Sequence, residues 1–368
     1  MCIGKIVKEL IPDENNKRNS EGAFYDCGNG KILFFYSRFG GEGYADDSSS
    51  GIAVIASYDN GETFSEPRIF ICSEGETLLS LSALKLKNGG IALFYLRHEP
   101  VNCVRMFMRV SFDEGETWSE ERVCTDYGYY CVANDRVVRL LSGRIVIPAS
   151  FHCESRKPTA TDCQKTDMSV FHSGVITFFV SDDEGESWRK IADGYTLPEN
   201  FVAKEGLAEP CVVELPDNSL KCFIRSDFGA LYEMESFDNG DTWCKPRPTY
   251  LSSSISPAGA YVYNKKLLVF YNPVPLYNGR NDVRDGIWCG ARNPLSVVLS
   301  DDGKQFSVPI KVDYQADDKR GFCYPAALFV SDGILLSYCA GGVEDKGCLN
   351  RLRIKKIKYN DIFSDLEK

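Results

Sequence analysis

No stretch of 18 apolar residues occurs in this 368-residue chain, and its start, MCIGKIVKELIPDENN, has neither an apolar core segment nor a small-residue cleavage site. The sequence thus offers no membrane-spanning helix and no secretory leader, and a cytoplasmic location is the expectation. Histidine is scarce: three occur, none at metal-ligand spacing from another, so no metal site is expected. Cys-x-x-Cys pairs are absent, and the 15 cysteines are an odd number. Several of these (Cys211, Cys222, Cys339) lie in apolar runs, where a reduced thiol behaves as a small hydrophobe, and a reducing compartment suits them. Net positive charge is also lacking. A formal charge of −10 argues against nucleic acid or an anionic membrane as a partner. No cofactor is expected. Linkers, low-complexity tracts and long single-sign charge runs do not appear, and the most irregular stretch, about residues 151–167, reads as a loop insertion.

Repetition is what the chain does have. Five segments share the pattern Ser-x-Asp-x-Gly-x-x-aromatic: SYDNGETF from Ser57, SFDEGETW from Ser111, SDDEGESW from Ser181, SFDNGDTW from Ser236, and a shorter SDDGKQF from Ser300. Asp and Asn bond local N–H groups in a turn, Gly takes the left-handed position, and the aromatic folds back as a plug. Each copy follows an apolar run such as GIAVIAS or VITFFVS, so each closes a strand pair. Between these boxes lie six turn-plus-strand segments: GNGKILFFYSR, KNGGIALFYLR, LSGRIVIPAS, LPDNSLKCFIR, YNKKLLVFYN and SDGILLSYCA. Four antiparallel strands repeated six times predict an all-β fold, a six-bladed β-propeller forming a single domain over residues 1–368. The sixth repeat has no box. Ring geometry predicts that Gly4–Glu9 pairs near Leu349–Lys358 to complete it.

Strand direction then sorts the polar residues. Starts of inner strands, ends of second strands and the connections into third strands share one end of each blade, and the boxes close the other. Glu21, Asp135, Arg136, Glu209 and Tyr324 fall at inner-strand starts, Arg38, Arg97 and Arg225 at second-strand ends, and Asp46, Asp47 and Arg292 before third strands. A charge at a strand end is ordinarily just solvated. Five arginines recurring at one end with interleaved carboxylates instead suggest a mouth for a small anionic ligand. Asp59, Asp113, Asp183 and Asp238 belong to the far end, where their turn role accounts for them.

Here the chain resembles the sialidase (neuraminidase) superfamily of Asp-box propellers, most specifically in AEPCVVELPDNSLKCFIRSD, from Ala208 to Asp227. The resemblance implies Glu209 as the base paired with a catalytic tyrosine, and Arg225 and Arg292 as grips on a substrate carboxylate. It puts the tyrosine at Tyr324 in YPAALFVSDG and the acid at Asp46 or Asp47, with Asp46 preferred. A neutral phenol can attack a carbon that bears a carboxylate, where a carboxylate nucleophile would be repelled; sialidases are the exception among two-carboxylate glycosidases. One element departs from the family. Its first arginine should fall near Ser20–Gly22, where the chain reads SEG, with Glu21 in place of a cation. Arg38, Arg97 or Arg136 are the candidates to replace it, and Glu21 and Asp135 would add negative charge.

The implied activity is a sialidase-like retaining exo-glycosidase acting on terminal sialic acid or a related acidic sugar at a glycan's non-reducing end. Two alternatives stay open: a propeller hydrolase or lyase for another glycan, and a non-catalytic carbohydrate-binding propeller. The Glu209–Tyr324 pair speaks against the last, since a lectin needs no proton acceptor beside a phenol, and the altered first repeat separates the first two.

Overall fold

The computed structural model of the chain describes residues 2–41, 43–72, 75–99, 102–152, 174–191, 194–197, 206–275, 283–284, 287–288 and 292–363. Most of the insertion expected at 151–167 lies outside these residues. The regular structure of the described residues is nearly all strand, with one 3-10 turn at Val343–Asp345 and one short helix at Tyr359–Phe363. None of its helices is long and apolar enough to cross a membrane. Its twelve described cysteines are free thiols.

The apolar runs read from the sequence form antiparallel ladders, because β-branched and aromatic side chains pack well on a pleated surface. The first sheet contains, in order, Arg18–Gly28, Lys31–Phe39, Gly51–Ser57 and Arg68–Ile71. The fourth and fifth repeats form similar sheets beginning at Leu207–Glu214 and Gly259–Tyr263. The second and third repeats are fused into one nine-stranded sheet by a short strand, Tyr129–Cys131, inserted between Cys103–Ser111 and Ile145–His152. The last sheet combines Cys323–Val330, Gly333–Cys339 and Leu352–Lys358 with Lys5–Leu10 from the N-terminal end. Lys5 stands opposite Lys356 and Glu9 opposite Arg353, which is the closure ring geometry requires.

The innermost strands adjoin one another around an axis. Arg18–Gly28 meets Thr77–Lys85 on one side and Cys323–Val330 on the other. Gly259–Tyr263 lies between Leu207–Glu214 and Cys323–Val330. The arc between the second and fourth repeats is bridged by the Asp135 N–H donating to Leu81 O at 2.8 Å, and by contacts of Ile145–His152 with Leu207–Glu214. Six blades fit this order.

Each Asp-box plugs the seam to the preceding blade. Trp118 stacks on Phe70 and meets Phe35 edge-on, Trp188 meets Phe94, Trp243 stacks on Phe178 with centroids 4.2 Å apart, and Phe306 meets Phe223. Gly61 turns at φ 83° so close to Leu335 of the last sheet that a Cβ would lie 2.4 Å from it. The box aspartates do local work: Asp238 accepts from the Thr242 N–H at 2.9 Å, from Thr242 Oγ1 at 2.5 Å and from Ser236 Oγ at 2.8 Å. Asp238→Ala is therefore expected to cost about 1 kcal/mol in urea unfolding, the size of a lost cap. Kinetics on any substrate should be unchanged.

One irregularity recurs where the inner strands begin. Between Ser20 and Ala23, Leu79 and Ser82, Ala208 and Cys211, and Cys323 and Ala326, the inner strand advances three residues while its partner advances two. Each is a β-bulge, and each holds a residue in left-handed backbone: Glu21 at φ 55°, Ser80 at 58°, Glu209 at 45° and Tyr324 at 57°. Asp135 takes φ 58° at the equivalent place in the third repeat. In the first bulge the following residue must be glycine, since a Cβ on Gly22 would lie 2.5 Å from Phe35 O. Bulges re-aim side chains, and non-glycine residues held at positive φ collect at functional sites.

Candidate active site

Two of these bulge residues meet across the axis. Tyr324 Oη donates to Glu209 Oε1 at 2.8 Å, and both side chains are buried. Arg225, opposite Ala208 in the ladder, donates from Nη1 to the other oxygen of Glu209. Burial pushes the Tyr324 phenol well above its ordinary range and the charge of Glu209 adds to this, against the pull of Arg225 and Arg292. The phenol is thus neutral, with an acceptor already in place for its proton. Arg292 lies against its ring, with the guanidinium carbon 5.3 Å from the ring centroid, and donates to Cys323 Sγ and Ile255 O, each at 3.2 Å.

A second cluster forms around Arg18, whose side chain is 2% exposed. Its Nη1 donates to Asp46 Oδ1 at 2.6 Å, and its Nη2 to Glu21 Oε1 at 2.7 Å and Ser20 Oγ at 3.1 Å. Ser80 Oγ donates to the other Glu21 oxygen at 2.6 Å. Desolvation raises the Glu21 carboxyl, and Arg18 only partly offsets this. Asp46 behaves oppositely: desolvation works to raise it, yet the Arg18 guanidinium, with smaller help from His98 and Arg292, holds it below the usual carboxylate range. The Asp46 side chain is 54% exposed, so solvent reaches the group that Arg18 grips from inside.

A third wall comes from the fused second and third repeats. The rings of His98, Tyr129 and His152 form a chain with successive centroids 6.2 Å apart. Burial lowers the His98 imidazole against the pull of Asp46 and Asp47. His152 Nε2 lies 3.1 Å from Ser150 Oγ, which accepts the Glu209 N–H at 3.3 Å. Among the described residues no cluster of His, Cys, Asp or Glu is arranged to hold a metal ion.

Residues 80–336 match the BNR repeat-like domain family. An anhydrosialidase of Macrobdella decora is 26% identical over 247 residues, which cover 61% of this chain and 28% of that protein. The chain belongs to the BNR repeat-like family within the sialidase superfamily. Solved sialidases share its fold. NanB sialidase from Streptococcus pneumoniae aligns at TM-score 0.70 and 14% identity over 98% of this chain and 71% of its own. An intramolecular trans-sialidase from Ruminococcus gnavus aligns at TM-score 0.67 and 13% identity over 94% and 95%.

In this sialidase-superfamily chain the structure brings Glu209, Tyr324, Arg225 and Arg292 together and gathers Glu21 and Asp46 around Arg18, close enough that the charge of Glu21 acts on Tyr324 and that of Arg292 on Asp46. Asp47, next to Asp46, is exposed. Three arginine expectations need correction. Arg38 lines an outer groove with Lys8, Tyr36 and Glu66, between the first blade and the strand that closes the ring. Arg97 turns toward its own blade's outer edge, where it covers the Phe107 ring and pairs with Glu99 and Glu121. Neighbouring side chains on a strand point to opposite faces, so it is His98 that joins the site. Arg136 and Asp135 sit on the axis bonded to the chain itself rather than in an open pocket. The first repeat does hold a buried arginine, Arg18. It lies two residues upstream of Ser20, and its long side chain reaches forward to Ser20 and Glu21, so counting along a regular ladder misses it. The run of serine and glutamate in NSEG, able to solvate a guanidinium, was the available signal.

Proposed function

We propose that this chain is a retaining exo-glycosidase of sialidase type that removes a terminal sialic acid or a related acidic sugar from a glycan. The observation that carries this reading is the 2.8 Å hydrogen bond from Tyr324 Oη to Glu209 Oε1 in a buried pair. As Tyr324 Oη bonds to the anomeric carbon, its proton passes to Glu209. Asp46 donates a proton to the departing oxygen as the glycosidic bond breaks. Arg18, Arg225 and Arg292 grip the substrate carboxylate; paired guanidinium donors fit a carboxylate better than a point charge does. Glu21 keeps Arg18 in position and offsets part of its charge. In the second half-reaction a hydroxyl displaces Tyr324 from the sugar, its proton passing to Asp46 while Glu209 returns the proton to Tyr324 Oη. The hydroxyl belongs to water in hydrolysis and to the sugar itself in intramolecular transfer, a second reading favoured by the name of the anhydrosialidase relative. Product mass separates the two, because the transfer product is lighter by one water.

A panel of aryl sialosides and uronides tests the class, and turnover of none of them would sink it. The acid has its own signature. In the free protein Asp46 is held low by Arg18, so protonation for catalysis is favoured on the acid side. A bound carboxylate shares the field of Arg18 and lets Asp46 rise. The descending limb of kcat/KM, which reports the free enzyme, is expected at lower pH than that of kcat, which reports the complex. Asp46→Ala should cost about 10²-fold on a sugar leaving group and far less on a nitrophenyl one, which departs unassisted. Asp47→Ala should show no such contrast; the reverse pattern would move the role to Asp47.

A further inference from the structure

Three consecutive residues on the axis have no part in this chemistry. Asn134 and Arg136 are fully buried, and Asp135 between them stands at φ 58°. Asn134 Nδ2 donates to Tyr324 O at 3.3 Å and to Gly22 O at 2.7 Å. Arg136 Nη1 donates to Pro325 O at 3.1 Å, and to the carbonyls of Asn134 at 2.8 Å and Asp135 at 3.2 Å. Asp135 Oδ2 accepts from the Ala327 N–H at 3.2 Å and from Tyr261 Oη at 2.7 Å. The tripeptide is itself anchored to the second repeat, with the Asp135 N–H on Leu81 O and the Arg136 N–H on Ser82 Oγ at 3.0 Å. One segment of the third repeat thus crosses the axis and takes hold of three backbone groups within residues 324–327, about 190 positions away in sequence.

That grip falls where the backbone most needs it. Tyr324 is bulky, sits at φ 57° and directly precedes Pro325. Sterics disfavour left-handed backbone for such a residue, and the proline narrows its choices further. Strain of this kind persists only where the surroundings over-determine it. A regular ladder would aim the phenol elsewhere, since the bulge is what turns it toward Glu209.

We propose that Asn134, Asp135 and Arg136 are positioning residues for Tyr324, a brace that holds the strained backbone on which its phenol meets Glu209 and the reacting carbon. The inference rests on Tyr324 being the nucleophile. Through Gly22 the same brace steadies the bulge that carries Glu21, so both halves of the site are referred to one support.

The test compares Asn134→Ala, Tyr261→Phe and Tyr324→Phe on an aryl sialoside, with melting temperature and calorimetric affinity for free sialic acid measured alongside. Tyr261→Phe removes the hydroxyl that holds Asp135 and also accepts the Ala327 N–H at 3.1 Å, and leaves the ring packing on Phe270 and Phe329 intact, so it folds even if Asn134→Ala does not. Both brace variants are expected to lose about 10–100-fold in kcat, the usual cost of misplacing a reacting group by an ångström or less, with KM and sialic acid affinity unchanged. A purely structural role would instead lower the melting temperature and leave kcat intact below it. Parent-level kcat in folded Tyr261→Phe and Asn134→Ala, with Tyr324→Phe inactive, overturns the brace alone. An active Tyr324→Phe overturns the nucleophile, and the brace falls with it.

Discussion

Tyr324→Phe is expected to lower kcat by about 10³-fold or more while the protein still binds free sialic acid. The substitution deletes only the oxygen that would form the covalent bond. The ring keeps its place against Arg292, and Arg225 still pairs with Glu209. Glu209→Gln should be nearly as damaging, since an amide cannot take the phenol proton, and the double variant should be scarcely worse than either single one because the pair acts as a unit. Activity of Tyr324→Phe near the parent level on the best glycoside would end the sialidase-type mechanism for this chain.

Arg18→Met should unfold the protein more readily than any other single change in the site. Its guanidinium is buried against Glu21, whose side chain is 4% exposed, and removing the cation leaves that carboxylate with no ion pair among the described residues. Breaking a buried pair from one side typically costs about 3–5 kcal/mol. Glu21→Gln added to Arg18→Met should recover most of that loss, a coupling that a double-mutant cycle in urea reads directly. Recovery of stability should not bring recovery of function if, as proposed, Arg18 is one of three arginines that grip the substrate carboxylate, so KM should stay high. Full additivity of the two substitutions would show that Arg18 and Glu21 do not depend on each other.

The architecture was legible because the box and the turn before each second strand are local signals repeated many times. Glycine, aspartate and an aromatic at fixed spacing constrain a turn whatever surrounds it. Glu209 and Tyr324 were legible for the same reason, each lying at the start of a strand whose turn could be located. Legibility stopped where the chain departs from a regular ladder. A bulge shifts register by one residue, which a count from Gly30 toward Ser20 cannot see, and the long side chain of Arg18 then spans two further positions. Arg97 was placed at the correct end of its strand but on the wrong face, since the choice between Arg97 and His98 turns on strand parity. Tyr129 gave no signal, because a strand of three residues inserted between two blades has no periodicity to read.

The pairing of Lys5–Leu10 with Leu352–Lys358 also bears on how the chain is made. The strand that finishes the last sheet leaves the ribosome before every other strand of the ring, and its partner after them. Five repeats can collapse in order as they emerge, each after the first burying its plug against the one before. Through all of that the N-terminal strand has no ladder to join, and the inner strand that carries Glu21 has open space where Cys323–Val330 will dock. Contacts separated by almost the whole chain form slowly, and unpaired strand edges invite association with other chains meanwhile. Tyr324 comes in with that final docking step, so its hydrogen bond to Glu209 forms only when the ring shuts.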